Sequence, residues 1–261
     1  MTATTTLRPA SGAGARGSGP VLLSPRYVRI DLRRQLRNRR TLVFLVVMPV
    51  AFFLAFGGGY RDSDPAAYAY VMASMAVYGA MIATTSVGAS TSMERANGWT
   101  RQLRLTPLRP VGYVLGKVLV AVLLGVVPVA LVLLTGAVGG AHLSGGQWAG
   151  VALAAWSCSL VFAAFGLFMG YLIPAENVMQ FIGPLLALLS FFGGLFTPLD
   201  TLPQALQNIA PAMPTYAVGA IARSPITHSG FTLTHVALLV GWTLVFAAGA
   251  ALLFRRDATR G

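Results

Sequence analysis

Few residues in this 261-residue chain are of types that do covalent chemistry, and their spacing does not assemble them. His142, His228 and His235 fall at or near the outer ends of apolar runs, and a pairing such as Ser229 with His228 carries no more signal of a nucleophile and base than solvated loop histidines do. A single cysteine, Cys158, excludes an intrachain disulfide. CxxC, HExxH and the phosphate-cradling GxxxxGK[ST] are absent, so neither a zinc site nor nucleotide hydrolysis is encoded by those routes. The residues that do gather suit non-covalent work. Met93–Pro110, MERANGWTRQLRLTPLRP, interleaves Glu94, Arg95, Arg101, Arg104 and Arg109 with Trp99, Leu103, Leu105 and Leu108. Coiled as a short helix, it places Ala96, Trp99 and Leu103 on one face and Asn97, Arg101 and Arg104 on the other. Asn97-Gly98 redirects the chain before Trp99, and Pro107 stops a helix near Thr106. Such a ridge either rests on lipid headgroups or is gripped by a soluble partner.

The elements that must position this stretch are membrane spans. The chain is 56% hydrophobic and 10% charged, against roughly 25% charged for soluble domains. Six apolar runs of the length a bilayer requires are expected at Thr41–Gly58, Ala66–Ser90, Gly112–Val138, Gln147–Ile173, Val178–Thr197 and Phe231–Phe254. Pro49, Pro128 and Pro184 lie inside them, which membrane helices tolerate. Gly112/Gly116, Gly136/Gly140 and Gly166/Gly170 match the small-residue spacing of close helix pairs, a weak signal in a chain with 29 glycines. The only intramembrane cation, Lys117, lies one turn into the third run and is expected to snorkel, while Glu94 sits where the second run ends. The aromatic and methionine residues Tyr68, Tyr70, Met72, Met75, Tyr78, Phe162, Phe165 and Phe168 suit either an amphiphilic cargo or ordinary packing.

Charge sets the expected orientation. Nine of the 19 Lys and Arg precede the first span, five lie between Arg95 and Lys117, and three follow the last span. Only Arg61 and Arg223 fall on the other side, so both termini and the central loop read as cytoplasmic. A net charge of +12 so distributed is a topology signal and argues against nucleic acid as a partner. Residues 1–23 read as a disordered cytoplasmic tail and 257–261 as a second tail. Ser24–Arg40 reads as an amphipathic helix lying in the interface: Val28, Leu32 and Leu36 form its apolar stripe and Arg33 and Arg37 its basic one, with Ser24-Pro25 as cap and first turn. On the opposite side, Pro198–Gly230 keeps helical spacing at Leu199, Leu202, Leu206 and Ile209 between prolines. This predicts short helices dipping into the outer leaflet, acting as an anchor or as a gate.

From Glu94 to Lys117 the chain resembles the ABC-2 type transporter permeases, particularly the antibiotic-export, daunorubicin-exporter branch. The matching residues are Glu94-Arg95, Gly98-Trp99-Thr100, Leu103, Thr106-Pro107-Leu108 and Lys117. A second match is GLFTPLDTLPQALQNIAPAMPTYAVGAIAR, Gly194 to Arg223, with its Phe-x-Pro, Leu-Pro and Pro-x-Tyr. Trp99 departs from the pattern, since many members follow the glycine directly with threonine. The resemblance covers about residues 24–256. It implies an all-α membrane protein of six transmembrane helices, with an interfacial helix, a cytoplasmic coupling helix and short extracellular helices before the last span. It also implies half of a pump: a homodimer of this chain in the cell inner membrane, with two copies of a separate ATP-binding subunit that alone binds ATP and Mg. The chain itself would be no enzyme and would hold no cofactor. Coupling to that subunit would fall to Glu94, Arg95, Gly98, Trp99, Thr100, Arg101, Leu103, Arg104 and Pro107. An extracellular cap would involve Pro198, Leu202, Leu206, Pro214 and Tyr216. The implied activity is export of a hydrophobic or amphiphilic compound, drug-like or lipid-like, as in multidrug export and antibiotic resistance. An ion-coupled secondary transporter and a non-transporting anchor or sensor component are the alternatives.

Overall fold

The computed structural model describes residues 24–98, 110–227 and 230–260, the side chains at 40, 41, 110 and 257–260 excepted. Its helices run in the order α1 Pro25–Arg37, α2 Arg39–Gly57, α3 Pro65–Ala96, α4 Pro110–Val138, α5 Gly145–Cys158, α6 Leu160–Leu172, α7 Val178–Phe192, α8 Gln204–Ile209, α9 Pro214–Thr227 and α10 Leu233–Arg260. No strand occurs among the described residues. The starts are chemically marked. Ser24 Oγ accepts the Tyr27 N–H with Pro25 in the first turn of α1, and Asp64 caps α3 by accepting from Ala66 and Ala67. Ser144 and Gln147 close a capping box at α5.

Helix α3 is the axis of the bundle. It is buried along most of its length, and α2, α4, α6, α7 and α9 pack around it. Its composition permits this, because alanine, glycine, serine and threonine let neighbouring backbones approach. A Cβ on Gly88 would stand 2.5 Å from the Leu167 nitrogen, and one on Gly166 2.4 Å from the Thr85 carbonyl oxygen. Gly166 and Gly170 therefore mark a real backbone-to-backbone crossing of α3 and α6, tightened by Thr85 Oγ1 donating to the Phe162 carbonyl. The two interior prolines of α2 and α4 share one recess: a Cβ on Gly79 would meet Pro128 at 2.7 Å and Pro49 at 3.1 Å. Of the aromatic and methionine residues noted in the sequence, Tyr68, Met72, Met75, Tyr78, Phe162 and Phe165 are buried in the bundle's core. By contrast, α2 and α10 turn Val43, Phe44, Val47, Leu54, Val240, Leu244, Val245 and Leu252 outward, as helices bathed in hydrocarbon do.

Among the described residues, five helical stretches are long and apolar enough to cross a membrane: Leu42–Tyr60, Pro65–Ala96, Val111–Val138, Gly145–Leu172 and Leu233–Arg256. The fourth is α5 and α6 in line, stepped at Ser159. The fifth expected span, Val178–Thr197, is shorter than the sequence suggests, because α7 stops at Phe192 after 15 residues. That is about 22 Å of helix, short of the ~30 Å hydrocarbon core. The cause is Gly193-Gly194. Gly194 takes φ +70°, and a Cβ on Gly193 would collide with Thr215, whose hydroxyl donates to the Leu189 carbonyl. The start of α9 thus lies across the end of α7. The following segment is also more deeply set than a surface cap: Ala217, Val218, Ile221, Ala222 and Arg223 of α9 are buried against α3, α5, α7 and α10.

Candidate functional site

Four charged side chains from three helices meet at the end of the bundle where α1 lies, three of them out of water. Lys117 of α4 places Nζ 2.6 Å from Glu94 Oε1 and 3.0 Å from Asp31 Oδ2. Arg34 Nη1 reaches the same Glu94 oxygen at 2.9 Å. Lys117, Glu94 and Asp31 are 0%, 1% and 4% exposed, whereas Arg34 is half-exposed. The other Glu94 oxygen accepts the Tyr113 hydroxyl at 2.7 Å. Ser90 Oγ accepts from Lys117 Nζ and from Gln35 Nε2, both at 3.4 Å, and donates to the Val87 carbonyl. Two cations thus balance two carboxylates. A lone buried charge costs several kcal/mol, so the arrangement holds only while all its members are in place.

Helix α1 reaches this cluster because it turns a polar edge inward. Its buried positions are Val28, Asp31 and Gln35, with Tyr27 and Leu32 half-buried. Leu36, expected on the apolar stripe, is exposed together with Ile30, and Arg33 and Arg37 face outward beside them. The inner face is therefore rotated toward Asp31, since the ion pair with Lys117 outweighs burying one more leucine. Tyr27 lies against Gly116, where a Cβ would stand 2.6 Å from its ring. Burial above all, and then the Asp31 and Glu94 carboxylates, pushes the Tyr27 phenol far above its ordinary value, so it stays protonated. A cavity of about 370 Å³ opens here, lined by Tyr27, Ile30, Asp31, Arg34, Glu94 and Asn97.

The last turns of α3 fasten a third neighbour. Arg95 Nη1 donates to the Gly170 and Tyr171 carbonyls at 3.2 Å, with its guanidinium over the Tyr171 ring at 5.3 Å. Ser92 Oγ donates to the Ile173 carbonyl at 2.7 Å. These side chains satisfy the open carbonyls at the end of α6. One run of α3, Ser90 to Arg95, therefore ties together α1, α4 and α6. Gly98, at φ +70°, then turns the chain away from α3. Trp99, Thr100, Arg101, Leu103, Arg104 and Pro107, the rest of the expected coupling stretch, lie outside the described residues.

The structure departs from the sequence reading at one of these charges. Lys117 does not reach outward as a snorkelling side chain would; it is fully buried and turns inward to the two carboxylates. Glu94 pairs with Lys117 and Arg34. Sequence reasoning passed over Asp31, Arg34 and Tyr113. A signal existed for the first, since Asp31 is the sole acid in Ser24–Arg40. At the other end, Pro198 is exposed, Leu202 and Leu206 are half-buried, Pro214 is buried, and Tyr216 packs its ring 5.4 Å from that of His235. Among the described residues, no group of three His, Cys, Asp or Glu is placed to hold a metal ion.

Comparison with known proteins bears on the same region. Residues 27–226 match the ABC-2 type transporter family. A Bacillus subtilis (strain 168) protein, YvfS, described provisionally as a transport permease, is 26% identical over 221 residues, covering 83% of this chain and 90% of that protein. The family match includes the whole charge cluster at one end and most of α9 at the other.

Proposed function

The chain belongs to the ABC-2 type transporter family, and on that premise we propose that it is the membrane permease of an exporter whose energy comes from a separately encoded ATP-binding subunit. Two copies of the chain would stand in the cell inner membrane with termini and α1 on the cytoplasmic side, each docked to one ATP-binding subunit. The cargo would be hydrophobic or amphiphilic, of the antibiotic or lipid kind. Glu94 carries this reading. Its carboxylate sits four residues before Gly98, within the expected coupling stretch, and it holds α1 through Arg34 and α4 through Lys117. A push on residues 99–109 would enter the bundle at a point already fastened to α1, α3, α4 and, through Arg95, α6. A loop that merely joined two spans would need no such mooring.

The test is purification in mild detergent with identification of the soluble subunit that accompanies the chain. ATPase activity should appear only with that subunit; hydrolysis by the isolated chain would end this reading. Leu103→Glu should weaken docking by at least about a hundredfold, because it forfeits ~1.5–3 kcal/mol of apolar burial and sets a carboxylate in the groove. Arg104→Ala, on a wetted rim, should cost about 1 kcal/mol or less. If Leu103→Glu inserts, binds and transports like the parent, the coupling assignment is wrong.

A further inference from the structure

Among the described residues, Arg223 is a cation without a counter-charge. It lies on α9, 7% exposed, at the end of the bundle away from α1. Its Nη1 donates to Ser74 Oγ at 3.1 Å and to the Gly194 carbonyl at 3.3 Å, and its plane covers the Tyr70 ring at 4.4 Å. Nε and Nη2 make no hydrogen bond to a described residue, although a guanidinium carries five N–H donors and cannot shed its proton. The chain has seven acids, and none of those with described side chains answers this charge. Asp31 and Glu94 are engaged with Lys117 near the far end of α3, whereas Asp62, Asp64, Glu176 and Asp200 are exposed. Glycine makes the berth: a Cβ on Gly219 would stand 2.9 Å from Nη1 and 3.1 Å from Nη2.

An apolar platform adjoins the cation. Tyr70, Ser74 and Tyr78 form one stripe of α3 at four-residue spacing, and Tyr78 meets Phe196 edge-on with centroids 5.0 Å apart. Phe52 stacks on Tyr78 at 5.7 Å, and Phe56 stacks on Phe196 at 5.8 Å. Phe52 and Phe196 are half-buried and Phe56 is 42% exposed, so the group keeps an open side. Gly194, whose carbonyl accepts from both Arg223 and Tyr70, is only two residues from Phe196. The fork of donors and the aromatic platform are thus held by the same turn. Ser74 and Glu94 stand about 30 Å apart along α3 at 1.5 Å per residue, so the two charged sites lie on opposite sides of a hydrocarbon core.

We propose that Arg223, Tyr70 and Ser74 form a recognition site for the oxyanion of an amphiphile, a carboxylate or phosphate whose apolar body lies along Phe52, Phe56 and Phe196. The oxyanion supplies the missing counter-charge and accepts from Nε and Nη2, the bidentate geometry a guanidinium favours. The ligand is either the exported compound or an anionic lipid of the outer leaflet. The first source rests on the exporter reading and the second does not. Binding to the chain alone, without ATP or its partner, keeps the site's success or failure separate from that reading.

The probe is dansyl-undecanoic acid, compared with its neutral carboxamide, titrated into the full chain in a non-ionic maltoside detergent and read by dansyl fluorescence. The acid should bind at least about tenfold more tightly than the amide, the scale of one charge-assisted hydrogen bond. In Arg223→Gln the two should bind alike, and Arg223→Lys should restore part of the preference. Phe196→Ala should weaken both probes while leaving their ratio unchanged. Ser74→Ala keeps the buried cation and serves where Arg223→Gln does not fold; it should shrink the ratio without abolishing it. Displacement of the acid by phosphatidylglycerol assigns the site to lipid, and binding that resists this lipid assigns it to cargo. Equal binding of acid and amide to the parent, or a preference unchanged in both Arg223→Gln and Ser74→Ala, overturns the proposal.

Discussion

At the scale of single residues, the buried charges at the α1 end of the bundle are matched among themselves, whereas Arg223 at the other end has only neutral partners. Lys117 is the clearest case, with two carboxylates and a serine hydroxyl around one ammonium. Lys117→Met leaves Asp31 unpaired and Glu94 served by Arg34 alone, so it should destabilise the fold by about 3–5 kcal/mol. Adding Asp31→Asn removes the orphaned charge and should recover part of that loss. Chemical denaturation of the two single variants and the double variant in detergent reads the coupling. Additive losses would show that Lys117 and Asp31 do not act as a pair.

At the scale of helices, glycine decides which pairs touch. The backbones of α3 and α6 meet at Gly88, Gly166 and Gly170 because a side chain at any of them would enter the opposing main chain. Gly166→Val should therefore lower the thermal unfolding temperature markedly, beyond the about 1–3 kcal/mol of ordinary overpacking, since a backbone cannot re-rotamer. Gly183→Ala is the control. Its Cβ would meet nothing within 4 Å, and the helix should gain up to about 1 kcal/mol. A Gly166→Val protein as stable as the parent would mean that the crossing is not formed as described. The same crossing brings the end of α6 within reach of Arg95, so a packing change there should also loosen the end of α3.

At the scale of the whole molecule, the claim to test is orientation. Cysteines placed at Ser63, Gln102 and Ser229 in a Cys158→Ser background report it through an impermeant maleimide applied to intact cells. Ser63 and Ser229 should label and Gln102 should not, and the reverse pattern would invert the topology. The short helix α7 makes Ser229 the more telling position. It follows α9, whose buried face packs into the bundle, and it labels from outside only if α7 and α9 together return the chain to that side.

The sequence by itself determined the class. Apolar runs long enough to cross a bilayer are local facts, as are the Lys and Arg asymmetry, the Ser24 cap and the polar stretch between Met93 and Pro110. Each can be read because hydropathy, helix capping and charge depend on neighbours in the chain. What needed the tertiary structure is whatever depends on which helix stands beside which. No spacing rule links Asp31, Glu94 and Lys117, because they lie on three helices, and an arginine in an apparently external segment gives no sign that α9 folds inward and buries it. The early stop of α7 was equally hidden. Gly193 and Gly194 look like ordinary membrane glycines until Thr215 and Leu199 are seen to occupy the space their side chains would need. Hydrophobicity sorts residues into membrane or water, but only packing settles which polar atoms within the membrane find one another.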